Sequence, residues 1–521
     1  MATIGKNILD NLTTGMYSDS RVIFREYIQN ACDQIDLAVK LGIIKHQEGQ
    51  VDIYIDSHKR YISILDNATG VKSESFIQDL GDIANSNKQI GQNKGFRGIG
   101  RLCGLAYCKT LKFKTSYSGE DVASVMVCDA KKMRKMLVEN KKYTIDEIWE
   151  EIVNYEVEPE EISKHYFEVE MIDINHENTD LLDEKKIKEY LSFVAPVPYK
   201  NTFIMRSSIY SHAKEMGYTI DEYCVQINGQ QIFKEYTTRI KEQSGAALKN
   251  YDDISKLEFK DFYIGDGENK KLIAWMWYGL SRFEKSIPKI NQMRGIRVRS
   301  GNIQIGNDDV IQNLFKESRG NYYFVGEVFA LDDNLIPNSQ RDYFNENEAR
   351  VVFEDQLRLY FFDVLHKLYY DANRLKNAYK KQEEYITIVE EFDKKNSENG
   401  FINEEEKQKL KFSIEKVQKE VAEAKKQIIK FKEIEIDSPI AEVQKSIEQK
   451  FCADKLQKDV EKKEILSDEV QDKKKQYMTS SFSKLSKSER KLVSRLLAII
   501  TEVAPKDIGD TIIERIKEEL R

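Results

Sequence analysis

Glu26, Asn30 and Asp33 stand at i, i+4 and i+7 in a stretch with helical patterning, so all three project from one face. Three polar side chains stacked along one stripe, with apolar neighbours on both flanks, make poor sense as core. Downstream, Asp66-Asn67-Ala68-Thr69-Gly70 follows a β-like run. An acid at a strand end before a tight glycine-containing loop can meet the amine of a flat ligand. A third element, Gly95-Phe96-Arg97-Gly98-Ile99-Gly100-Arg101, runs into a helix-like segment. Its three glycines let backbone N–H groups approach phosphate oxygens at a positive helix end. Taken singly, these are also ordinary features: a solvated helix face, a generic turn and a Gly-rich loop.

The elements that must position these residues are legible from periodicity. Residues 22–42 place Ile23, Tyr27, Ile28, Ala31, Ile35 and Ala38 on a helical stripe. Residues 51–70 read as two alternating strands with a turn at 57–59, and 111–117 with 122–130 as another hairpin. Residues 166–174 are strand-like and 184–194 helix-like. The expectation is an α+β domain over 1–215, an antiparallel sheet layered with helices. A second α/β block, 216–376, opens with an Asn228-Gly229 hairpin signal and closes on a helix over 353–376.

From 377 to 475 Gly and Pro nearly vanish while Lys and Glu dominate. There Leu410, Ile414, Val417, Val421, Ala424, Ile428 and Phe431 alternate at 4-3 spacing, an a/d seam that Pro439 separates from a second seam through Leu456 and Val460. This region reads as a helical hairpin packed on itself or as an intermolecular coiled coil. Residues 476–521 read as two short amphipathic helices joined near Ala504-Pro505.

Composition narrows the function. Lys+Arg 81 against Asp+Glu 88 gives a net charge of −7, so the molecule as a whole is no electrostatic glove for nucleic acid. No run of about 18 apolar residues is present, the polar start lacks a signal-peptide core, and the expected location is the cytoplasm, with no membrane partner. The six cysteines form no Cys-x-x-Cys and the six histidines no paired spacing, which argues for reduced thiols and against zinc-hydrolase chemistry.

The three motifs in this order resemble the Bergerat-fold ATP site of the GHKL superfamily, which unites gyrase, the heat-shock chaperones, histidine kinases and mismatch-repair MutL. Gly95, Gly98 and Gly100 match the family's third motif, whereas Ala68 replaces the glycine usual in the second. The ninety-kilodalton heat-shock chaperones are the nearer likeness. Residues 80–88 are similar to their lid entry and 90–100 to their lid exit. Residues 294–306 and 336–344 resemble their middle domain, where the Arg341 position reaches the γ-phosphate. The resemblance covers about residues 1–376.

It implies a Mg²⁺-dependent ATPase. Asp66 would take the adenine amine, and the loop with Gly95, Gly98, Ile99, Gly100 and Arg101 the phosphates. Asn30 would hold the metal, Glu26 would act as general base and Arg341 as an arginine finger. Gly70 joins Asp66 in binding the nucleotide, and Asp33 and Asp79 are pocket candidates of second rank. Two outputs follow from the likeness. One is a chaperone-like, ATP-gated clamp, a homodimer or a binder of a partner protein through its helical arms. The other is a DNA-associated ATPase similar to MORC or MutL proteins, in genome maintenance or phage defence.

Overall fold

The structure is a computed structural model, and it describes residues 5–6, 9, 13, 19–81, 100–265, 270–398, 400–432, 438–469 and 485–520. The chain divides into two units, residues 1–279 with 285–366 and residues 280–284 with 367–521. The whole is α+β, with a β-sheet middle region and long C-terminal helices.

In the first unit, helix α1 (Val22–Lys40) is followed by strands β1 (Gln50–Asp56) and β2 (Tyr61–Asp66), then by the short α2 (Phe76–Gly81). Strands β3 (Cys108–Ser116) and β4 (Val122–Asp129) lead into helices α3 (Ala130–Val138) and α4 (Ile145–Ile152). After these come β5 (Val153–Pro159), β6 (Tyr166–Ile174), α5 (Glu184–Val194), α6 (Arg206–Glu215), β7 (Cys224–Ile227) and β8 (Gln230–Gln231). Eight strands form one sheet in the order β5-β4-β3-β6-β2-β1-β7-β8. Its neighbours are antiparallel except β1 and β7, which run parallel from Gln50 opposite Cys224. Ile23, Tyr27, Ile28 and Ile35 of α1 share one core with Ile62, Ile64 and Phe113 of the sheet.

The hairpin read at the head of the second block therefore belongs to the first sheet. Its turn is as expected, with Asn228 and Gly229 both at positive φ (47° and 77°), the backbone a two-residue primed turn demands. The placement differs because β7 completes the sheet edge beside β1, a pairing no local pattern encodes.

Beyond it, β9 (Arg239–Ser244) and β10 (Ala247–Asp253) make a ribbon. Strands β11 (Lys256–Ile264), β12 (Lys271–Leu280), β13 (Gly295–Ser300), β14 (Ile303–Ile305) and β15 (Val325–Ala330) build a second sheet, ordered β11-β12-β15-β13-β14. Charge is buried in this sheet. Glu327 on β15 and Arg299 on β13 are fully enclosed and ion-paired, and Lys234 Nζ lies 3.0 Å from Glu327 Oε2. Tyr236 donates to Glu327 Oε1 at 2.9 Å, Tyr199 also donates to this carboxylate, and Arg299 reaches the Phe193 carbonyl at the end of α5 at 2.8 Å. The network thus ties the segment after the first sheet to the second sheet, with its polar groups satisfied as burial requires.

The helix expected over 353–376 is divided. Helix α7 (Glu348–Tyr360) passes through a π-helical turn, Phe361–Leu365, into α8 (His366–Ser397). Helix α8 runs unbroken through residue 376, so the composition break there is not a break in the backbone.

The second unit holds α8, α9 (Glu404–Lys432), α10 (Pro439–Phe451), α11 (Ala453–Glu469), α12 (Lys487–Val503) and α13 (Lys506–Glu519). The a/d seam on α9 is buried within the chain: Val417 and Val421 pack with Tyr385 and Val389 of α8 and with Val460 of α11. Lys381–Glu420 at 2.8 Å and Lys463–Asp393 at 2.9 Å flank that core. The arm after Pro439 is two helices rather than one, because Cys452 adopts φ 47° and caps α10. No helix among the described residues is long and apolar enough to cross a membrane.

Candidate functional site

Helix α1 is buried even along its polar stripe. Glu26 is 7% exposed and Asp33 6%, while Asn30 is half-buried. A solvated face would expose them, so that alternative is set aside. The helix forms because residues 22–40 contain no Gly or Pro and keep an apolar stripe against the sheet.

Asp66 ends β2 and is buried, its Oδ1 accepting from the Ala68 amide at 3.0 Å. The loop behind it is held by Thr69 Oγ1 donating to Gln34 Oε1 at 2.7 Å and by a 2.7 Å hydrogen bond between the Ala68 carbonyl and His165 Nδ1. Ala68, where the family usually has glycine, is fully enclosed. Gly70 is required by packing: at φ 68°, a Cβ there would lie 1.9 Å from the Ser116 carbonyl oxygen of β3.

Gly100 opens a 3₁₀ segment, Gly100–Ala106, where a helix-like run was expected. Tyr27 pins this segment to α1. Its hydroxyl donates to the Arg101 carbonyl at 2.9 Å and accepts from the Gly104 amide at 3.1 Å. A Cβ on Gly100 would lie 2.5 Å from Glu26 Oε2, so the first and third motifs meet there. Arg101 is half-buried beside it. Gly95, Gly98 and Ile99, together with the lid-like stretch, lie outside the described residues. Asp79 is exposed on α2, its Oδ2 accepting from Ser75 Oγ at 2.7 Å.

Arg341 comes from the loop after β15. Its Nε is 3.3 Å from Glu26 Oε1, and both side chains are about nine-tenths enclosed. The loop is anchored to β14 by the Gly306 amide donating to the Arg341 carbonyl at 2.9 Å, and Arg341 takes φ 55°. Arg25, which sequence reasoning did not single out, donates from Nη2 to the Gln340 carbonyl at 2.9 Å. Its position beside Glu26 was the available signal. Burial pushes the neighbouring Tyr27 hydroxyl and Cys103 thiol well up, and Cys108 and Cys128 to about 12, so these groups stay protonated.

Residues 18–158 match the family model for histidine kinase-, DNA gyrase B- and HSP90-like ATPases. The N-terminal domain thus resembles a GHKL ATPase domain. Among curated relatives, the chain is similar to the chaperone protein HtpG of Wigglesworthia glossinidia brevipalpis, 34% identical over 87 residues, 16% of this chain and 14% of that protein. HtpG of Psychrobacter cryohalolentis is 29% identical over 131 residues, 22% of this chain and 20% of that protein. HtpG of Buchnera aphidicola subsp. Baizongia pistaciae is 27% identical over 158 residues, 26% and 25% respectively. The chain spans a quarter or less of the length of these relatives. Each of these likenesses covers between 16% and 26% of this chain.

Proposed function

We propose that the protein binds ATP, hydrolyses it with Mg²⁺ and uses the cycle to close a chaperone-like clamp. The supporting observation is the carboxylate of Glu26, which meets the Gly100 backbone on one side and the Arg341 guanidinium on the other. Two features support this reading: only a glycine at position 100 leaves room for Glu26 Oε2, which a Cβ there would approach to 2.5 Å, and Glu26 Oε1 is a buried oxygen that accepts no hydrogen bond. Asp66 would hold the adenine amine, Gly100 and Arg101 the phosphates together with Gly95, Gly98 and Ile99, and Asn30 the metal. Asp33 and Gly70 would line the pocket, whereas the exposed Asp79 is left out of it. Bound Mg²⁺ supplies charge neutralisation at the phosphate oxygens.

Glu26 then accepts the proton of the attacking water, a role open to a carboxylate held within hydrogen-bond reach. Arg341 offsets charge developing on the transferred phosphoryl group. The Glu26–Arg341 pair must loosen for each to take its part, which makes turnover slow and dependent on loop movement. We place the protein in the cytoplasm and read it as a homodimer or partner-protein binder.

The test is calorimetric titration with ATP and with ADP, followed by steady-state phosphate release with and without Mg²⁺ and with and without duplex DNA. Mg²⁺-dependent turnover indifferent to DNA supports the clamp. Turnover that requires DNA supports the MORC- or MutL-like alternative, and absence of nucleotide binding overturns both.

A further inference from the structure

Helix α1 carries one more polar side chain, which the motif residues do not account for. Gln29 lies three residues after Glu26, one before Asn30 and four from both Arg25 and Asp33. At 100° per residue its direction falls between those of Arg25 and Asp33, on the flank of the same stripe. Side chains on a helix lean toward its N-terminus, so the Gln29 amide is carried back over the turn that holds Arg25 and Glu26. That face is the one whose Arg25 guanidinium meets the Gln340 carbonyl beside Arg341.

Gln29 is 1% exposed, yet neither Nε2 nor Oε1 has a hydrogen-bond partner. Arg25 Nε and Glu26 Oε1 are also without a hydrogen bond, so four such buried atoms fall within residues 25–29. A primary amide enclosed with both ends unpaired forfeits its hydration and adds nothing to folding that an apolar residue would not supply better. Its value must lie in something it meets in use.

We propose that Gln29 contacts the γ-phosphoryl group of ATP and its attacking water, with Nε2 donating to a γ-oxygen and Oε1 accepting from the water. The inference rests on the ATPase reading above. The chemistry suits an amide, which offers one donor and one acceptor on a rigid plane and orients a water without taking its proton. Removal of that proton is left to Glu26, one turn away. A neutral group also faces the phosphate without repelling it, as an acid at position 29 would.

The experiment uses the full chain, unchanged and as Gln29→Leu and Gln29→Glu, with three readouts: affinity for ATP and for ADP, single-turnover hydrolysis, and melting temperature. Gln29→Leu is expected to slow hydrolysis roughly 100-fold, the scale of a misplaced reacting group. It should also reduce the preference for ATP over ADP, with ADP affinity within about twofold of the parent and no loss of melting temperature. Gln29→Glu should weaken ATP more than ADP, since only ATP brings the γ-phosphate to that carboxylate. The inference is overturned if the Leu variant hydrolyses at the parent rate, or if ATP and ADP affinities fall together with melting temperature, as a purely structural residue would cause. A parent chain that binds ATP without hydrolysing it overturns the ATPase reading and the water contact with it, while the ATP-to-ADP ratio still decides the γ-phosphate contact. A parent that binds neither nucleotide overturns both.

Discussion

Arg341 Nε stands 3.3 Å from Glu26 Oε1, joining helix α1 to the loop that follows β15 of the second sheet. Neither side chain has enough solvent to ignore the other. Removing one partner of an enclosed pair leaves the other charge uncompensated, so this contact couples the loop's position to the state of Glu26.

Glu26→Ala should lower the rate of ATP hydrolysis by about 10²–10⁴-fold, the usual worth of a positioned base, and leave ATP binding within a few-fold. Calorimetry alongside single-turnover kinetics separates the two effects. Undiminished turnover would remove Glu26 from the chemistry.

Arg341→Ala should slow hydrolysis without a matching loss of ATP affinity, since its interaction is expressed in the transition state rather than on binding. The measure is kcat against KM. A rise in KM at constant kcat would make Arg341 an ordinary binding residue.

Two glycines should respond in opposite ways to alanine. At Gly100 the added Cβ meets the Glu26 carboxylate, the end of a side chain, at 2.5 Å. Gly100→Ala should therefore displace the base and cut turnover, with a melting shift of only a few degrees. At Gly70 the Cβ meets a backbone carbonyl at 1.9 Å from a φ of 68°. Gly70→Ala should destabilise the domain by about 1–3 kcal/mol or more, from overpacking added to backbone strain. Equal melting temperatures for the two variants would contradict this contrast.

The enclosed charges of the second sheet predict a pH profile. Burial alone would raise the Glu327 carboxyl, but Arg299 and Lys234 override it and hold it down at about 2, against an ordinary 4.5. Its contribution to stability is thus complete above pH 4.5 and lost as pH falls from 4.5 toward 2. Burial and Arg299 lower Lys234 from 10.5 to about 7. The unfolded chain then holds the extra proton between those values, so stability should rise with pH from about 7 to 10.5. Denaturant unfolding across pH should show both limbs, and Lys234→Met should flatten the alkaline one. Below pH 7, where Lys234 and Arg299 are both charged, Glu327→Gln should cost about 3–5 kcal/mol by leaving two buried cations without their anion.

ATP should change the assembly state of the full chain, and the 404–475 region should be dispensable for nucleotide binding. Light scattering with and without a non-hydrolysable ATP analogue, on the full chain and on a chain lacking 404–475, checks both. A full chain monomeric under both conditions would remove the clamp.

Local chemistry was readable from the chain alone. Strand β6 and helix α5 fall on the residues whose patterning announced them, because period 2 and period 3.6 are written in neighbouring side chains. The three motifs that carry the resemblance to an ATP site were legible for the same reason: each is a few residues long. Only the tertiary structure decided that Glu26 is buried rather than solvated, that β7 closes the first sheet beside β1, and that the α9 seam faces α8 and α11 of its own chain. It also decided that Arg341 meets Glu26, that Arg25 holds the neighbouring loop and that Gln29 is enclosed. These are contacts between segments far apart in the chain, and whether they form depends on how competing long-range pairings fill one core, which no window of sequence contains.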